Sequence, residues 1–162
     1  MTLEPYLQSR LEFLLRVVTK EIMHLQYADQ QIFGDSLQLS DIEKLDQKPE
    51  LALKLEAFAS RFCRLQDTLG DKLLPALLRV LGEPDKALLI NLDKAEKFGW
   101  LVSTEKWVEL RQLRNQMIHE YIEEAPVLYN ALTKAHQNIT TLTHFAERLE
   151  KEVNALLNHD ER

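Results

Sequence analysis

Apolar residues recur at three- and four-residue spacing along most of the chain, the pattern of helices that bury one face. Leu3, Leu7, Leu11, Leu14, Leu15, Val18, Ile22 and Leu25 predict a first helix ending near Tyr27, with Thr2 as its cap and Pro5 in its first turn. Residues 30–38, around Gly34 and Asp35, lose the period and predict a loop. Ser40 and Glu43 have the spacing of a capping box, and a short helix from Asp41 to Gln47 is expected before Pro49 interrupts it.

From Glu50 the stripe Leu51, Leu55, Phe58, Phe62, Leu65 and Leu69 predicts a long buried helix face. Gly70 and Pro75 predict a kink or break near residues 70–74, because an interior proline removes a donor and clashes one turn back. A further piece runs from Pro75 to Leu81 and ends at Gly82. Pro84 is expected in the first turn of the next helix, which carries Leu88, Leu89, Leu92, Ala95 and Phe98 and closes at Gly99. Trp100, Leu101 and Val102 connect it to a helix capped by Ser103 or Thr104, with Trp107, Leu110, Leu113, Met117 and Ile118 on its apolar arc. Ala125 and Pro126 open one final helix through Leu156. No strand period or internal repeat interrupts this series, so the expected fold is all-α, an up-and-down bundle of four to five main helices.

Composition narrows the classes. A chain of 162 residues suits one core, so residues 1–162 are expected to form a single helical domain, frayed over 158–162. Apolar residues at 45% and only four glycines and five prolines argue for order rather than a linker. The net charge of −6 excludes a broad basic surface that coats nucleic acid, while leaving room for a small basic site. Cys63 is alone, which rules out an intrachain disulfide and fits a reducing compartment. With no leader pattern and no long apolar run, a soluble cytoplasmic protein is expected.

Chemistry concentrates in Leu110 to Glu124, where Arg114, Asn115, His119 and Tyr121 lie within about two turns of helix. At about 100° per residue, Leu113, Met117, Leu110, Tyr121, Trp107 and Ile118 share an arc of roughly 140°, and Arg114 lies inside it. His119 lies roughly 140° from Arg114, nearer Asn115 and Gln112. An inward-facing guanidinium calls for a partner, and a structural salt bridge is the competing explanation for it. One straight helix does not aim Arg114 and His119 at a common point, whereas a symmetric dimer brings two copies of the helix together. Arg61, Arg64, Asp67, Lys72 and Arg79 flank the central helix; Arg61, Arg64 and Lys72 are candidate phosphate contacts, with a solvated ion-paired face as the alternative. His119-Glu120-x-x-Glu123 lacks the second histidine of a zinc helix, and Glu21-x-x-His24 is one half of a di-iron pattern, so no metal centre is expected.

Arg114-Asn115-Gln116-Met117-Ile118-His119 resembles the motif of the HEPN family (higher eukaryotes and prokaryotes nucleotide-binding), small all-α domains marked by Arg, commonly a polar residue next, and His after four intervening positions. Glu120-Tyr121 extends it to Arg-x4-His-x-Tyr, similar to the subgroup of toxins encoded beside minimal (MNT) nucleotidyltransferase antitoxins. The resemblance implies a metal-independent endoribonuclease, a hydrolase working as a homodimer with paired motifs in one cleft and cutting RNA such as tRNA or mRNA. It implies His119 as general acid or base for attack by the ribose 2′-hydroxyl, Arg114 as stabiliser of the phosphorane oxygens, and Asn115 as an orienting residue. Tyr121 would be the site of AMPylation by the partner, which uses ATP, so this chain needs no cofactor of its own. On helical position alone Tyr121 is equally a core phenol. The competing classes are a non-catalytic nucleotide- or partner-binding subunit of a nucleotidyltransferase, which the acidic charge favours, and a structural helical adaptor, which leaves Arg114 unexplained.

Overall fold

The structure is a computed structural model that describes residues 3–118 and 124–160, and every described element is helical. The chain divides into two compact units. One combines Met1–Lys20, Leu65–Thr104 and Thr141–Arg162, and the other Glu21–Arg64 and Glu105–Thr140.

Helix α1 covers Pro5–Phe33. It continues past Tyr27 into the first part of the segment expected to be a loop, because Leu25, Ala28 and Ile32 keep the three- and four-residue spacing and are all buried; residues 34–38 form the loop. After Gly34 the chain turns at Ser36, whose φ of 58° is left-handed. Helix α2, Leu39–Glu43, starts earlier than the Ser40/Glu43 pattern suggested. Its capping carboxylate is Asp41, whose Oδ2 accepts the Gln38 N–H at 2.9 Å. A 3-10 turn, Leu45–Gln47, completes this segment.

Helix α3, Pro49–Asp67, buries Leu55, Phe58, Phe62 and Leu65 as the stripe requires, while Leu51 is half-buried. Where a kink or break was expected near residues 70–74, the backbone leaves α geometry in a π-helical turn, Thr68–Leu73, and runs directly into α4, Leu74–Val80. A π turn bonds five residues back and widens the backbone. The carbonyl one turn before Pro75 belongs to Asp71, inside that wide turn, so the ring is accommodated without ending the helix.

Pro84 lies outside the next helix, α5, which covers Leu88–Lys97. Buried Asn91 pins the intervening loop: its Oδ1 accepts the Lys86 N–H at 3.0 Å, and its Nδ2 donates to Asp85 Oδ1 at 3.1 Å and the Lys86 carbonyl at 2.9 Å. Gly99 closes α5 with a φ of 78°, as expected. Helix α6 is Thr104–Ile118. The single final helix expected from the sequence is two, α7, Ala125–Gln137, and α8, Ile139–Asp160. They part at Asn138, whose φ of −115° and ψ of 15° leave the helical region and whose side chain donates to the Lys134 carbonyl at 2.8 Å.

Within the Glu21–Arg64 and Glu105–Thr140 unit, α1, α3 and α7 are joined by aromatic contacts. The Phe33 ring meets Phe58 edge-on at 5.7 Å and stacks on His136 at 4.0 Å. Tyr129 on α7 donates to the Leu37 carbonyl at 3.4 Å.

Candidate functional site

The buried side of α6 is made by Thr104, Trp107, Leu110, Leu113 and Met117. Four of these follow at a strict three-residue spacing. Three residues advance about 300°, so the buried direction drifts backwards by about 60° at each step. By the level of Leu113 it has turned well away from Trp107. Arg114, which shares an averaged arc with Trp107, therefore emerges at the surface and is exposed, as are Asn115 and Gln116. This corrects the inward-facing arginine expected from the sequence. Ile118, expected in the apolar arc, is also 40% exposed. His119 and Tyr121 lie outside the described residues.

A second group of charged residues is brought together by α1 and α3. Glu21, His24, Arg61 and Arg64 line a cleft of about 160 Å³ within one unit. Arg61 Nη1 donates to the His24 carbonyl at 2.9 Å, and Arg64 Nη2 donates to Ser60 Oγ at 3.4 Å. Two of the three candidate phosphate contacts thus share one cleft. Lys72, the third, is exposed on the π turn and belongs to the other unit. Arg79 from the same charged series pairs with Asp85 at 2.8 Å.

His136 carries no signal in the sequence, yet its Nδ1 lies 2.6 Å from Asp29 Oδ1 while its ring stacks on Phe33. Asp29 and His136 are 107 positions apart, so only the packing of α1 against α7 joins them. A more open groove of about 550 Å³ in the same unit is lined by residues including Asp35, Asp41, Lys48 and Lys54. There, the hydrogen bond from Lys48, at 2.6 Å, and then the Gln38 N–H hold the Asp41 carboxyl below its ordinary range.

Among the described residues, no group of three or more His, Cys, Asp or Glu side chains is placed to hold a metal ion. No described helix is long and apolar enough to cross a membrane. Comparison with known families, characterised proteins and solved structures gave no match.

Proposed function

We propose that the chain is a metal-independent endoribonuclease toxin whose activity is restrained by an adjacent nucleotidyltransferase. This reading takes the all-helical chain as an up-and-down bundle that acts as a homodimer. The observation that carries it is the surface position of Arg114 and Asn115 in the last turns of α6, five and four positions before His119 in the Arg-x4-His-x-Tyr motif. Arg114 is exposed, so a substrate phosphate can reach its side chain from solvent.

In the proposed step the ribose 2′-oxygen attacks the adjacent phosphorus, His119 accepts the hydroxyl proton, and the bond to the 5′-oxygen breaks. The leaving oxygen takes up a proton, giving a cyclic phosphate and a 5′-hydroxyl end. Arg114 offers its donor fork to the phosphorane oxygens, and Asn115 orients the imidazole or the phosphate. For restraint, the Tyr121 phenol loses its proton to solvent as its oxygen bonds to the α-phosphorus of ATP held by the partner and pyrophosphate leaves, so that the bound AMP blocks the cleft.

Purified chain, verified by mass spectrometry to be free of AMP, is expected to cut RNA and to arrest growth when expressed alone. Loss of either the general acid–base or the oxyanion donor typically costs about a hundredfold or more, so Arg114→Ala and His119→Ala should each abolish toxicity. An AMP-free wild type that cuts no RNA would sink the nuclease reading. The net charge of −6 favours the alternative of a non-catalytic binding subunit for the nucleotidyltransferase. That alternative predicts partner binding that survives both substitutions, with no cleavage by any form.

A further inference from the structure

We infer that the cleft of Glu21, His24, Arg61 and Arg64 is a binding subsite for single-stranded RNA, with the arginines on backbone phosphate and Tyr27 as a stacking platform for a neighbouring base. The inference rests on RNA being the substrate. It adds where on the chain that substrate is held.

The cleft is locally basic in an acidic protein. Two permanently charged guanidiniums face one carboxylate, against a net charge of −6 for the chain. The two arginines lie three positions apart on α3 and so occupy neighbouring places on one face. Their hydrogen bonds run to the His24 carbonyl and the Ser60 hydroxyl, which are neutral acceptors. Such bonds orient the forks without cancelling their charge. A guanidinium has five N–H donors in its plane, and the bond to His24 uses one of Arg61's, so a further edge of the fork can donate to a phosphate oxygen.

At about 160 Å³ the cleft has room for a phosphate, with a neighbouring base left to the adjoining surface. His24 also lines the cleft, and its carbonyl is the acceptor that holds Arg61. Tyr27 follows His24 by three positions on α1, hence on the same side of the helix, and is 61% exposed. An exposed aromatic ring next to cations that track a backbone is how sequence-tolerant single-strand binders hold bases.

The test is fluorescence anisotropy with a labelled single-stranded RNA of about ten nucleotides, using full-length chain carrying His119→Ala so that the probe is not consumed. Arg61→Gln with Arg64→Ala should weaken binding at low salt by about tenfold or more and make log Kd less steep in log salt by about 0.7 for each phosphate no longer neutralised. Tyr27→Ala should weaken binding by about tenfold with its salt slope unchanged. Lys44→Ala, an exposed cation outside the cleft, serves as the control and should change neither. Arg64 is exposed, so Arg64→Ala alone keeps the test open if the Arg61 change disturbs folding.

An unaltered affinity and slope in the arginine variants would overturn the subsite, as would the absence of RNA binding. Equally tight binding of DNA of the same sequence would overturn its assignment to RNA. Cleavage by the His119-containing protein is scored separately. Cleavage without any dependence on Arg61, Arg64 or Tyr27 sinks the subsite alone, whereas arginine-dependent binding without cleavage sinks the nuclease reading alone.

Discussion

Asp41 sits between two donors of different kinds. The Gln38 N–H reaches one carboxylate oxygen at 2.9 Å and the Lys48 ammonium reaches the other at 2.6 Å. Both bonds favour the charged form, so the folded state holds the Asp41 proton less tightly than the unfolded chain, whose ordinary value is 3.8. The resulting stabilisation is fully present above that value and is lost as pH falls through the lower folded value. Asp41→Asn has no such titration. Urea denaturation should therefore show a constant stability gap between wild type and Asp41→Asn near neutral pH, closing as pH is taken below 3.8. A gap that stays constant into acid would assign the loss to altered hydrogen-bond geometry instead. The Asp41–Lys48 contact spans seven positions and falls within a short capped segment that the sequence marks. The pairing of His136 with Asp29 had no such local cue. Arg114 illustrates a third case: its identity was legible, but its direction was not. An averaged helical wheel assumes a fixed buried direction, and on α6 that direction drifts with the three-residue spacing of Thr104, Trp107, Leu110 and Leu113.

At the scale of elements, the end of α5 shows how a single residue type sets a boundary. Trp100 N–H bonds back to the Ala95 carbonyl at 2.9 Å and Gly99 N–H to Glu96 at 3.0 Å, the paired bonds of a Schellman ending, with Gly99 at φ 78°. A Cβ at Gly99 would meet nothing within 4 Å, so the cost of adding one is conformational rather than steric crowding by neighbours. Gly99→Ala should lower stability by about 1 kcal/mol, read as a fall in Tm of about 2–4 °C by circular dichroism. An unchanged or raised Tm would mean that the α5 ending rearranges to avoid the left-handed residue. Gly99 was legible because glycine after a periodic run has a direct backbone meaning. The division at Asn138 was hidden because Ala135, Ile139 and Leu142 keep their spacing across it, and apolar period reports the buried face rather than backbone continuity. Gly70 and Pro75 marked the place where α geometry is lost, but not the form the loss takes. A proline rule written for α geometry does not anticipate a π turn that widens the backbone one turn earlier.

At the scale of the whole molecule, the proposed chemistry makes a demand on assembly. Arg114 and His119 stand roughly 140° apart on an ideal helix, so a single straight helix carrying both would not direct them at one phosphate. The proposed homodimer resolves this if each cleft takes arginine from one subunit and histidine from the other. Arg114→Ala and His119→Ala chains, each inactive alone, would then restore cleavage when mixed. The mixed dimer has one cleft with both defects and one with neither, because the intact arginine comes from the His119→Ala subunit and the intact histidine from the Arg114→Ala subunit. If subunits exchange at random from equal amounts, about half of the dimers are mixed and each has one working cleft of two. Recovered activity should then approach about a quarter of the wild-type value. Co-expression with two affinity tags followed by sequential purification isolates the mixed dimer, which should approach about half. Cleavage that stays absent in a verified mixed dimer would show that each site draws both residues from one chain.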